Sequence, residues 1–270
     1  MIAIIPARYG STRLPGKMLF PIAGKPLIVH TLERAKAAKA VDRVVVATDD
    51  ERIEEAVGAA GGEVVMTASS HRSGSDRIAE VAERLAEGTI IVNVQGDEPV
   101  IDPKTIDRAV EALLEDDVAD MSTTWEPVES LGDLLNGNNV KVVVGDNGYA
   151  LYFSRSPIPW PREASLRHNG DPNKAIQSEP ELLKNYKKHT GLYVYRREYL
   201  LKFTKLPQTR LEQYEILEQL RALENGARIK VVKAVGTSIG VDTQGDYDRV
   251  RDLLENGVEV TDHLSLETSH

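Results

Sequence analysis

The sequence predicts an α/β fold, a sheet of mainly parallel strands with helices on both faces. Three observations carry this. Residues 2–5, 43–48 and 89–94 are short apolar runs rich in Ile and Val, the composition of strands buried on two sides. The segments between them are long enough for helices, and 26–38 repeats a face at helical spacing through Leu27, Thr31, Leu32 and Ala35. The strands end in loops of small and charged residues, where open α/β sheets hold ligands.

In chain order, 2–5 reads as strand and 26–38 as helix. Strand 43–48, helix 51–60, strand 63–66, helix 75–85 and strand 89–94 then repeat the pattern. Strands separated by helix-length segments imply parallel crossovers. A helix over 103–115 leads to strands near 121–125, 140–144 and 150–154, the last two joined by the hairpin turn sequence Asp146-Asn147-Gly148. Residues 156–188 are rich in proline and charge and are expected to be irregular, a mobile loop or lid. Strand returns at 189–195. Residues 211–223 read as one helix with Leu211, Tyr214, Leu217, Leu220 and Leu223 on a face, closed by Asn225-Gly226. Residues 229–234 read as strand and 244–255 as a final helix. No internal repeat is visible, and the organisation expected is a single domain over 1–258 with a frayed C-terminal tail over 259–270.

Composition narrows the function. The 270 residues are 41% hydrophobic and 28% charged, which excludes disorder and fibrous structure. A formal net charge of −9 repels phosphodiester backbones, so no nucleic-acid partner is expected. With no cysteine, disulfides, thiolate catalysis and cysteine-ligated zinc are all excluded. No apolar run approaches the roughly 20 residues of a membrane-spanning helix, and nothing reads as a signal or lipid anchor, so a cytoplasmic location is expected.

The densest chemical signal is the loop 6–17, Pro-Ala-Arg-Tyr-Gly-Ser-Thr-Arg-Leu-Pro-Gly-Lys, directly after the first strand. Gly10, Ser11 and Gly16 let backbone approach phosphate oxygens, and Arg8, Arg13 and Lys17 supply three cations. It is not the ATPase P-loop: five residues, not four, separate Gly10 from Gly16, and Met18 stands where that motif has its hydroxyl. Gln95-Gly-Asp-Glu-Pro99 follows the strand at 89–94 and puts Asp97 at a strand end, suited to Mg²⁺ on a triphosphate or to a turn that bonds its own backbone. Asp242 precedes a helix and suits a metal or an N-cap, two compatible roles. Thr48-Asp49-Asp50 is placed to meet a base or ribose or to cap the next helix. The small-residue loop His71-Arg-Ser-Gly-Ser-Asp-Arg77 is placed to read a base edge through Ser73 and Gly74, with Arg77 on a phosphate or in a surface ion pair. His189 has no metal partner at helical spacing, and neither a serine-histidine-acid arrangement nor a His-Glu-x-x-His motif is present.

In order along the chain come Ile5-Pro-Ala-Arg-Tyr-Gly-Ser-Thr-Arg-Leu-Pro-Gly-Lys17, Val46-Ala-Thr-Asp49, the 71–77 loop, Asn93-Val-Gln-Gly-Asp-Glu-Pro99 and Tyr152-Phe-Ser-Arg155. With His189-Thr-Gly191, Leu211-Glu-Gln213, Leu217-Glu-Gln-Leu-Arg221 and Gly240-Val-Asp-Thr243, the chain closely resembles the 3-deoxy-manno-octulosonate (Kdo) cytidylyltransferases from Ile2 to about Leu253. That resemblance implies a Rossmann-like mixed, mostly parallel sheet of the nucleotide-diphospho-sugar transferase type. It implies Mg²⁺-dependent transfer of CMP from CTP to Kdo, with release of pyrophosphate, for lipopolysaccharide inner-core synthesis, in a homodimer. By position it puts Arg8, Arg13 and Lys17 on the triphosphate and Ala7 with Ser73-Gly74 around cytosine. Thr48, Asp49, Arg77 and Gln95 stay with the nucleotide, and Asp97 and Asp242 become the metal carboxylates. Gln95, Arg155, His189, Tyr193 and Glu212 match sugar-side positions, Arg155 being the natural partner of the sugar carboxylate. The sugar-binding and dimerisation subregion is expected around 125–215. Thr190, beside the expected sugar pocket, departs from the family pattern, as do Ser75, Gly137 and Gln244-Gly245. The alternatives are a cytidylyltransferase for 8-amino-Kdo or sialic acid, and a nucleotide-binding protein without turnover.

Overall fold

The computed structural model describes residues 1–10 and 13–256, so Ser11 and the tail at 259–270 lie outside the described residues. Strand β1 (Ile2–Ala7) is buried along its whole length and leads into the loop that ends in a single 3-10 turn, Lys17–Leu19. A two-residue ribbon of β2 (Pro21–Ile22) and β3 (Lys25–Pro26) precedes α1 (Leu27–Lys36). Then follow β4 (Arg43–Thr48), α2 (Glu51–Ala59), β5 (Glu63–Met66), α3 (Gly74–Glu83), β6 (Ile90–Asn93) and α4 (Pro103–Leu114). The second half holds β7 (Met121–Pro127), α5 (Leu131–Leu135), β8 (Lys141–Val144), β9 (Ala150–Ser154), α6 (Arg162–Arg167) and α7 (Pro172–Ser178). It closes with β10 (Lys187–Arg196), α8 (Arg197–Phe203), α9 (Arg210–Glu215), α10 (Glu218–Glu224), β11 (Ile229–Lys233) and α11 (Gln244–Asn256).

Among the described residues the main sheet runs β11-β7-β10-β6-β1-β4-β5, with the β8–β9 hairpin attached to β10. β1, β4, β5 and β6 are mutually parallel and β11 is parallel to β7, while β10 opposes both β6 and β7. The sheet is therefore mixed and mostly parallel, as expected. The period-2 alternation of β1 divides the core. Ala3, Ile5 and Ala7 pack with α1, α2 and α4 on one face, and Ile2 and Ile4 with α3, α8 and α10 on the other.

Two expectations are corrected. Residues 156–188 are not an irregular loop: they form α6, α7, a 3-10 segment at Pro180–Asn185 and the start of β10. Asp171 caps α7 by accepting from the N–H groups of Asn173 and Lys174, Pro172 starts it, and Ile176 packs into a separate small core with Val128, Leu134 and Tyr186. The single helix at 211–223 is also broken, because Ile216 lies in the left-handed region (φ 55, ψ 54) and separates α9 from α10.

Candidate active site

Connections from β1 run to β4 on one side, while β6 returns to its other side, so the sheet's switch point lies between β1 and β6. Ligands of open α/β sheets bind beyond the strand ends at such a point. Here the carboxyl ends of β1 and β6 deliver the 8–17 loop and the 95–102 loop side by side. Their contact is close: a Cβ at Gly96 would stand 2.8 Å from the Pro6 carbonyl and 3.2 Å from Met18, so only glycine fits. The Thr31 hydroxyl donates to the Gly96 carbonyl at 2.9 Å and holds this loop from α1.

Four of the expected residues converge there. Lys17 is buried, and its ammonium donates to Asp97 Oδ2 at 2.6 Å, Asp242 Oδ1 at 2.8 Å and the Val241 carbonyl at 2.8 Å. Arg13 donates to the other oxygen of Asp242 at 2.8 Å. The carboxylate loops are joined by their backbones, Val241 N–H donating to the Asp97 carbonyl at 2.8 Å. Burial by itself lowers the Lys17 pKa, but the charges and hydrogen bonds of Asp97 and Asp242 outweigh it, so the ammonium is held above its ordinary value. The separation of 229 positions between Arg13 and Asp242 conceals this pairing from any local pattern.

The expected base-side loop also reaches the site. Ser73 caps α3, its hydroxyl accepting from Asp76 N–H at 3.1 Å, and Gly74 lies against Pro6 at the end of β1. Ala7 is buried at that strand end, whereas Arg8 and Gly10 are exposed on the loop. Arg77 is placed differently from a phosphate ligand on an open surface. It is buried, donates to Thr67 Oγ1 at 2.5 Å and pairs with Asp49 at 3.1 Å, tying α3 to the end of β4. Thr48 is buried and its hydroxyl accepts from Asp50 N–H at 3.3 Å.

Beside the base-side loop, Gly74, Ser75, Asn93, Gln95, Tyr193 and Glu218 help line a cavity of about 250 Å³ that Ile216 and Gln219 also border. Asn93 Oδ1 is buried there without a hydrogen-bond partner among the described residues. Gln95 Nε2 reaches the Gly191 carbonyl at 3.5 Å. The β10 register shifts between His189 and Tyr193, and a Cβ on Gly191 would come within 3.2 Å of Gln95, so the irregular strand makes room for the Gln95 side chain. Thr190, the family departure, bonds Thr124 with its hydroxyl.

The remaining sugar-side candidates stand further back. Thr123 gives its single hydroxyl proton to the Leu192 carbonyl at 2.7 Å, so His189 Nε2–H must donate to Thr123 at 2.9 Å. Packed against Phe153 and Tyr193, His189 is pushed by burial down to about 3 and is neutral. Glu212 is buried away from the cavity, accepting from Thr209 N–H at 3.2 Å and pairing with Arg221 at 3.2 Å. Arg155 donates to the carbonyls of Glu215 at 2.8 Å, Gly137 at 2.9 Å and Ile216 at 3.3 Å. Glu218 and Gln219 line the cavity instead, at the start of α10, with Glu218 accepting from the Ser75 hydroxyl at 2.6 Å. Neither was assigned a role from sequence, because 211–223 read as one continuous helix; the polar pair set between Leu217 and Leu220 in Leu217-Glu-Gln-Leu-Arg221 was the available signal.

Cations and carboxylates gathered beyond parallel strands, next to a polar cavity, define an α/β nucleotidyltransferase. The comparisons agree. The family described as "Cytidylyltransferase" matches residues 2–229, and the chain belongs to it. It is 54% identical over 254 residues to the 3-deoxy-manno-octulosonate cytidylyltransferase of Geotalea daltonii, covering 94% of this chain and 98% of that one. With the protein of the same name from Yersinia enterocolitica it shares 47% over 258 residues, 94% of this chain and 98% of that one. A solved structure of CMP:2-keto-3-deoxy-manno-octonic acid synthetase complexed with CTP superposes with a TM-score of 0.84 at 40% identity, covering 95% of this chain and 99% of that chain.

Proposed function

We propose that this cytidylyltransferase transfers CMP from CTP to the anomeric hydroxyl of Kdo, releasing pyrophosphate and supplying CMP-Kdo for lipopolysaccharide inner-core synthesis in the cytoplasm. The observation that carries the reading is the convergence of Lys17, Arg13, Asp97 and Asp242 on one point beside the cavity. High similarity to relatives of that named activity along nearly the whole chain supports the choice of CTP and Kdo.

The chemistry is in-line displacement at the α-phosphorus by the sugar hydroxyl, and no protein nucleophile is required. Lys17 and Arg13 bind the triphosphate and stabilise negative charge as it grows on the α-phosphate and the leaving pyrophosphate. Ser73, Gly74 and the end of β1 enclose the base. Gln95, Tyr193 and Asn93 orient the sugar. The donor set suits Mg²⁺, because Asp97 Oδ2 and Asp242 Oδ1 both lie within 2.8 Å of one cationic atom, Lys17 Nζ, and Mg²⁺ takes one or two carboxylates plus phosphate oxygens. Bound there, it would replace the Lys17 ammonium between the two carboxylates, free that ammonium for the phosphates, neutralise phosphate charge and lower the pKa of the attacking hydroxyl.

Pyrophosphate release measured with each of the four nucleoside triphosphates, with and without Kdo, tests the reading. Release that requires both CTP and Kdo is expected. Release only with 8-amino-Kdo or sialic acid would overturn the sugar, and CTP binding without release under any sugar would overturn the enzyme. We further propose a homodimer, supported by exposed Leu151, Trp160 and Leu166 on the 125–215 subregion, with light scattering as its test.

A further inference from the structure

Ile216 is a β-branched residue held at φ 55 and is 79% exposed, so little in its own packing rewards the strain. The reward comes from the backbone around it. Arg155 donates to the carbonyls of Glu215 and Ile216 from two of its nitrogens and to the Gly137 carbonyl from the third. In return, the Glu215 carboxylate accepts from the Ser154 hydroxyl at 2.6 Å and from Arg155 N–H at 3.0 Å. These four side-chain links from the end of β9 clamp the α9–α10 junction, and the residues directly after it are the ones that reach the cavity. Leu217 is buried, Glu218 binds the Ser75 hydroxyl beside the base-side loop, and Gln219 lines the wall.

We infer that Arg155 is a positioning residue for the sugar pocket: with Ser154 it holds Ile216 in the left-handed conformation and so aims Glu218 and Gln219 into the cavity. The inference rests on the proposed transfer to Kdo. It gives Arg155 a role exerted through the backbone, where a direct contact with the sugar carboxylate would act through its free N–H groups. Without the clamp, isoleucine relaxes out of its strained conformation and turns the first residues of α10 away. Glycine at 216 has no such drive, because it adopts positive φ without a Cβ clash.

The test is a double substitution. R155M should raise KM for Kdo by about tenfold while KM for CTP stays within about twofold, the size set by release of one left-handed isoleucine. Adding I216G should return KM for Kdo to within about threefold of I216G alone. A double variant as impaired as R155M would overturn the inference, since a lost carboxylate contact cannot be restored by glycine at 216. Amide exchange at 217–219 gives a readout without substrate: faster in R155M and restored in R155M/I216G. No release from the unaltered protein with CTP and Kdo would fail the functional reading and leave the exchange experiment to decide the clamp. If R155M does not fold, S154A carries the same pair of measurements, and its unchanged exchange at 217–219 would overturn the clamp.

Discussion

Lys17 is the residue on which the site turns, since its ammonium holds together three chain segments at 2.6–2.8 Å and carries a pKa raised by the two carboxylates it faces. Lys17→Ala removes a preorganised charge from the proposed phosphate site and is expected to cut turnover by about 100-fold or more, measured as pyrophosphate release at saturating CTP and Kdo. Near-normal turnover would remove Lys17 from the mechanism. His189 makes a different prediction. Burial depresses its folded-state pKa to about 3, below the 6.5 of the unfolded chain, so the unfolded state binds the extra proton. Its contribution to stability is therefore present above pH 6.5 and lost progressively as pH falls toward 3. Glu98, raised by burial to about 7, acts oppositely, losing its contribution as pH rises from 4.5 through 7. Denaturant unfolding of wild type and His189→Gln across pH 3–7 should show the difference between them shrinking as pH falls. A difference independent of pH would mean that His189 takes up its proton in the fold at the same pH as in the unfolded chain.

At the scale of elements, the strand ends and helix starts do the positioning. Ser73 caps α3 where that helix meets Pro6 and Gln95, so the cap sets both helix stability and the wall proposed for the base. Ser73→Ala should cost about 1 kcal/mol, lower the melting temperature by about 2–4 °C and raise KM for CTP. An unchanged melting temperature would show that the cap bears no load. The central strands and their flanking helices were legible in the sequence because their apolar residues repeat at periods of 2 and 3.6. The α9–α10 break was not legible. Leu211 and Tyr214 continue the apolar spacing across 211–223, yet both are exposed, and the break depends on hydrogen bonds from Ser154 and Arg155 some sixty positions away. α6 and α7 were hidden for a similar reason: each is too short to show a periodicity, and Ile176 is anchored by Val128, Leu134 and Tyr186 from other segments.

The whole molecule is a mixed sheet whose switch point brings together Arg13 and Lys17 from the first loop, Asp97 from the middle of the chain and Asp242 from near its end. Chelation of divalent cations should abolish pyrophosphate release, and added Mg²⁺ should restore it. Asp97→Asn and Asp242→Asn should each lower turnover by about 100-fold, since each removes half of the paired carboxylate charge. Full activity in chelator would remove the metal from the reading. Among the described residues no helix is long and apolar enough to cross a membrane.

By itself the sequence determined the α/β class, the order of the central strands and helices along the chain, and the identity of the cationic loop and the strand-end carboxylates. These are local properties: hydrophobic period, glycine placement and charge within a dozen residues. Only the tertiary structure decided that Lys17 sits between Asp97 and Asp242, that Glu218 and Gln219 face the cavity while Glu212 pairs with Arg221, and that Arg155 spends three hydrogen bonds on backbone carbonyls. Each of those is a contact between segments far apart in the chain, set by strand order and by one strained residue, and no local pattern encodes which distant partner a charged side chain will meet.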